Sequence, residues 1–145
     1  MGSWAELDAN YPPGTLTPAT ALVVALGHLA GARSVYAGAV GGPLAAFLPR
    51  RGLAYDQDLL ARAERYLQEV PVDQFIAEAG GLLNARQKLC LAINLLDALL
   101  AAGHAQPHDH AFFGQMLEGL GLTAEQIQPY WPALALKNDL TIFPQ

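Results

Sequence analysis

The stretch from Asn84 to Gly103 leaves this chain little conformational choice. Asn84 and Gln87 form a capping-box pattern, and Leu89, Ala92, Ile93, Leu96, Leu99 and Leu100 succeed them at helical spacing. Gly103 supplies a left-handed stop. A helix over residues 85–102 is expected, about 27 Å long at about 1.5 Å per residue. Leu and Ala cover more than half of its circumference, which predicts the central buried helix of the fold, with Arg86, Asn94 and Asp97 on its polar strip. Cys90, flanked by Leu89 and Leu91, is read as core filler rather than as a nucleophile.

The rest of the chain repeats this pattern in shorter pieces. Thr17 offers an N-cap with Pro18 at the first helical position, and Leu22, Val23, Leu26 and Leu29 lead on towards Gly31. A second helix is expected over much of residues 34–47. Asp56 caps a third, whose Leu59, Leu60, Ala63, Tyr66 and Leu67 trace one stripe until Val70-Pro71 breaks it. A short helix carries Phe75, Ile76 and Ala79 to Gly80-Gly81. Pro107 restarts a helix with Phe112, Phe113, Met116, Leu117 and Leu120 inward, stopping at Gly121. Thr123 and Gln126 form a further capping box, Pro129 and Pro132 interrupt the last helix, and Phe143 is positioned to pin the tail. The aliphatic residues agree, with 26 Ala and 25 Leu against 6 Val and 4 Ile, a helix-forming rather than strand-forming set. The expectation is an all-α protein: a flexible tail over residues 1–16, one compact bundle of six to seven helices over 17–138, and a C-terminal tail over 139–145.

Charge excludes several functions. Only 14% of residues are charged and the formal net charge is -5, so there is no basic stripe for nucleic acid or for an anionic membrane surface. The acidic N-terminus is wrong for a secretory signal. Residues 35–48 form an uncharged apolar run of 14 residues that Gly41, Gly42 and Pro43 interrupt, short of the roughly 20 that a membrane span needs. With Arg50-Arg51 beside it, that run is the chain's one candidate for membrane contact. A single cysteine rules out an intramolecular disulfide and a cysteine-clustered metal site.

Three of the four histidines lie at one corner, in His104-Ala105-Gln106-Pro107-His108-Asp109-His110, with Asp97 one to two turns upstream. Imidazole and carboxylate suit zinc, nickel or cobalt. His108 and His110 diverge by about 200 degrees on a regular helix and do not chelate one ion together. His104 could join either. The other reading gives Asp109 the free N–H groups of the first helical turn and leaves the histidines in solvent.

Residues 95–113 resemble the second-half corner of the TerB-like tellurite-resistance domain, a family of all-helical bundles built from two related three-helix units. The resemblance extends from about Thr17 to Lys137 and is strongest from Leu82 to Leu120. It implies a degenerate pair of three-helix units here, and a non-enzymatic part in a bacterial stress response, in the cytoplasm or peripheral to the inner membrane. In the family, acidic residues of an Ala-Asp-Gly…Glu element bind divalent cations, calcium being the usual proposal. Here the pattern's glycine is Gly103, its later carboxylate is Asp109, and its Asp is replaced by Ala102. Losing one carboxylate weakens the hold on a hard cation, so a surviving site would use His104, Asp109, Asp97 and His108, and would be softer than a calcium site. The leading expectation is a protein-interaction module that binds another protein or a second copy, with no catalytic residues and no resident cofactor. The alternatives are a divalent-cation sensor at residues 97–110, taking zinc, nickel or calcium, and a peripheral membrane protein using residues 35–51.

Overall fold

Thr17 and Thr20 close on each other to start the first helix. The Thr17 N–H donates to Thr20 Oγ1 at 2.8 Å and the Thr20 N–H to Thr17 Oγ1 at 3.1 Å, with the two hydroxyl oxygens 2.8 Å apart. Both side chains are buried, so this reciprocal cap satisfies donors that water does not reach. The computed structural model describes residues 15–30, 57–101 and 107–143. Among these residues every regular element is helical. The expected helix within 34–47, the Asp56 cap and the Gly103 stop lie outside them.

In chain order the helices are α1 (Pro18–Ala30), α2 (Gln57–Glu69), α3 (Val72–Leu82), α4 (Ala85–Ala101), α5 (Pro107–Leu120), α6 (Ala124–Ile127) and α7 (Trp131–Asn138). Short 3-10 turns, Gln128–Tyr130 and Leu140–Ile142, flank α7. Val70 and Pro71 separate α2 from α3, as their sequence predicts. Asn84 and Gln87 cap α4 reciprocally at 2.9 Å in both directions, and Thr123 and Gln126 cap α6 in the same way. The helix α5 ends at Gly121, whose φ of +70 disfavours a residue with a Cβ.

Both α1 and α4 pack against four other helices, but the one buried on all sides is α1. It packs against α2, α3, α4 and α5, and none of its described side chains is exposed. The reason is chemical: α1 carries no Asp, Glu, Lys or Arg, and its Ala, Val and Gly residues let neighbours approach from every side. By contrast, α4 buries Leu91, Ala92, Leu95, Leu96, Ala98 and Leu99 while keeping Ala85, Arg86 and Cys90 in solvent. Cys90 is therefore not core filler. It sits on the wet side of α4, where the Asn94 amide donates to the Cys90 carbonyl at 2.8 Å.

The contact between α3 and α5 depends on missing side chains. A Cβ on Gly80 would lie 2.6 Å from the Gly119 carbonyl oxygen, and a Cβ on Gly119 would lie 1.9 Å from Ile76 Cγ2. Backbone therefore meets backbone at this crossing, which draws Phe75 and Ala79 of α3 into full burial. Leu16 is buried ahead of α1, and Arg62 of α2 donates to the Thr15 carbonyl at 2.9 and 3.1 Å, so the bundle already includes Thr15 and Leu16.

Candidate functional site

Three places carry polar or aromatic groups beyond the needs of packing. The first is the described part of the histidine corner. Asp97, late on α4, is engaged by the C-terminal helix: Lys137 Nζ lies 2.6 Å from Oδ2, and Asn138 Nδ2 donates to Oδ1 at 2.8 Å. Asn138 also donates to the Leu134 carbonyl, which fixes its amide in place. A cation at Asp97 would have to displace the Lys137 ammonium. His104 lies outside the described residues, and His108 and Asp109 are described only as backbone in the first turn of α5. His110 is exposed on α5. Among the described residues, no three His, Cys, Asp or Glu side chains gather around a common point. The run at 35–51 is outside the described residues too, and among those described no helix is long and apolar enough to cross a membrane.

The second place is an aromatic chain through the core. His28, in the last turn of α1, has its ring centroid 5.5 Å from Phe75 of α3 and 5.7 Å from Phe112 of α5. Phe75 in turn meets Tyr66 of α2 edge-on at 6.0 Å. The Tyr66 hydroxyl donates to the Glu78 carboxylate, which also accepts from Gln74. Burial, together with the hydrogen bond and negative charge of Glu78, pushes the Tyr66 phenol above its ordinary range. His28 Nε2 is buried with no hydrogen-bond partner, and burial holds the imidazole below its ordinary 6.5. Sequence patterning overlooks His28; the available signal is a lone imidazole in a helix that carries no formal charge.

The third place is the C-terminal segment. Every large hydrophobic side chain that is exposed among the described residues belongs to it: Tyr130, Trp131, Leu136, Ile142 and Phe143. Phe143, at 71% exposure, does not pin the tail. The geometry results from two prolines. Pro129 and Pro132 cannot donate backbone hydrogen bonds, so the chain breaks into a 3-10 turn and restarts as an eight-residue helix. That helix is too short to bury two sides. It rests on α4 through half-buried Leu134, Ala135 and Asn138, and turns Trp131 and Leu136 outward.

No family model, curated protein or solved structure matches this chain.

Proposed function

We propose that this chain is a non-enzymatic, TerB-like helical module that works by protein contact, through its C-terminal segment and with a second copy of itself as partner. The observation that carries this reading is the concentration of exposed Tyr130, Trp131, Leu136, Ile142 and Phe143 within 14 residues. Single exposed apolar residues are ordinary, whereas a cluster of them marks an interaction site. Aromatic side chains are favoured at such sites.

A second copy fits because the segment's two charges are engaged within the chain. Lys137 pairs with Asp97, and Asp139 accepts from Thr141. What remains is a segment whose exposed surface is dominated by apolar side chains, with the Lys137–Asp97 pair and the exposed Asp139 carboxylate beside them, and an apolar surface of this kind can be covered by its own copy about a two-fold axis. The described carboxylates with assigned partners support structure rather than acid–base work: Glu78 holds Tyr66 and Gln74, and Asp97 holds α7 to α4.

Sedimentation velocity over a hundredfold concentration range tests this, on the wild-type chain and on a Trp131→Gln/Phe143→Ser double variant. Phe143 is 71% exposed, so its loss changes folding stability by about 0.5 kcal/mol or less, whereas Trp131 is 43% exposed and its replacement costs more, so the variant's mass is read only where circular dichroism shows native helix content. The wild type is expected to move from 15.4 kDa to twice that mass with concentration, and the variant to stay at 15.4 kDa. A wild type that remains monomeric throughout, or a variant that dimerises equally well, overturns the proposal.

A further inference from the structure

His28 stands apart from the proposed contact surface. Its ring lies against Phe75 and Phe112, joining α1 to α3 and α5, and its Nε2 is buried without a hydrogen-bond partner. In the neutral tautomer protonated at Nδ1, Nε2 is an unpaired acceptor, whose burial costs far less than burial of an unpaired charge. A protonated Nε2 is a charged donor with nothing to receive its hydrogen bond.

We infer that His28 is an acid-sensitive latch: neutral, it packs α1 against α3 and α5, and the folded junction resists the proton that falling pH offers, so acid weakens it. Among the described residues, the charged and titratable groups on the neighbouring helices do not relieve the cation. On α2, Arg62 is bonded to the Thr15 carbonyl, Tyr66 is bonded to Glu78, and Glu64, Arg65 and Glu69 are at least partly in solvent. On α3, Asp73 and Glu78 are exposed. On α4, Asp97 is held by Lys137, while Arg86 and Lys88 lie near its solvent-facing start. On α5, the described titratable side chains, His110 and Glu118, are exposed. Two phenyl rings offer a cation some attraction. Burial outweighs it, and burial is what lowers the imidazole's affinity for a proton.

Linkage sets the direction of the effect. In the unfolded chain His28 titrates at its ordinary 6.5, and in the bundle it titrates lower. Above 6.5 both states are neutral and stability is full. As pH falls below 6.5 the unfolded state takes up a proton that the native state does not, and the folding equilibrium weakens until the native pKa is reached. One such group lowers the folding constant by up to about tenfold between pH 7.5 and 5.5, above the range where carboxylates titrate.

The test is urea unfolding of the full chain at pH 7.5, 6.5 and 5.5, for the wild type and for His28→Phe and His28→Gln. Both variants keep the other three histidines, so any difference in pH dependence belongs to His28. The wild type is expected to lose several-fold more of its folding constant over that range than either variant. Parallel pH profiles overturn the inference. If neither variant folds, nitrogen chemical shifts of His28 in the wild type decide instead: titration below 6.5 sustains the latch, and titration at or above 6.5 overturns it.

Discussion

Replacing Gly80 with Ala should destabilise the bundle, although Ala is the better helix former. The backbone helix preference alone favours the substitution by up to about 1 kcal/mol. Against it stands the α3–α5 crossing, where the new methyl would lie 2.6 Å from the Gly119 carbonyl oxygen. Ordinary van der Waals contact begins near 3.4 Å, and the obstructing atom is backbone, so no rotamer change relieves it. The helices must move apart, loosening the packing of Phe75 and Ala79. Overpacking of this kind costs about 1–3 kcal/mol. With the full helix preference subtracted, the net is a loss of up to about 2 kcal/mol, or up to roughly 6 °C in Tm for a chain of this length. Gly114→Ala, on the same pair of helices, is the control, because nothing lies within 4 Å of its Cβ position. There the helix preference acts alone and stability should rise by about 0.5–1 kcal/mol. Urea unfolding of both variants measures the two signs side by side. If Gly80→Ala proves as stable as Gly114→Ala, the close crossing is refuted.

Other substitutions probe the cap, the tether and the exposed thiol. Thr20→Val keeps the shape of the buried cap but leaves the Thr17 N–H without its acceptor; unfolding measurements should register a loss of about 1–3 kcal/mol. Lys137→Met should cost at most about 1 kcal/mol, because the ammonium is partly in solvent; hydrogen exchange in α7 should quicken while α1 stays protected. Native Cys90 should react stoichiometrically with an aromatic disulfide reagent without denaturant, whereas a thiol that waits for unfolding would return it to the core.

Local signals in this sequence are legible, and long-range ones are not. The caps at Thr17, Asn84 and Thr123 and the break at Val70-Pro71 stand where their residue types require, because each is decided within four residues. Which helix is buried on all sides is not legible. The leucine content of α4 suggests that helix, yet burial on all sides is decided by the absence of charge, and α1 meets that condition where α4 does not. The same reasoning misplaces Cys90 in the core, since a flanking Leu on each side says nothing about which way the intervening residue points. Asp97 is recognisable as a polar strip residue, but its partner Lys137 lies 40 positions away and no local pattern links them. The aromatic residues between Pro129 and Pro132 are visible as a helix interruption. Their exposure reflects how little of an eight-residue helix can be covered, which only the packing on α4 reveals.

The central claim is that the C-terminal segment is covered by a second copy of the chain, and Trp131 reports on it directly. In a Trp4→Phe background Trp131 is the sole tryptophan, at 43% exposure in the isolated chain. Its fluorescence tracked through serial dilution is the decisive measurement. The account predicts blue-shifted emission at high concentration that moves to the red on dilution, in step with the fall in sedimenting mass. Emission that stays red and unchanged at every concentration would contradict it.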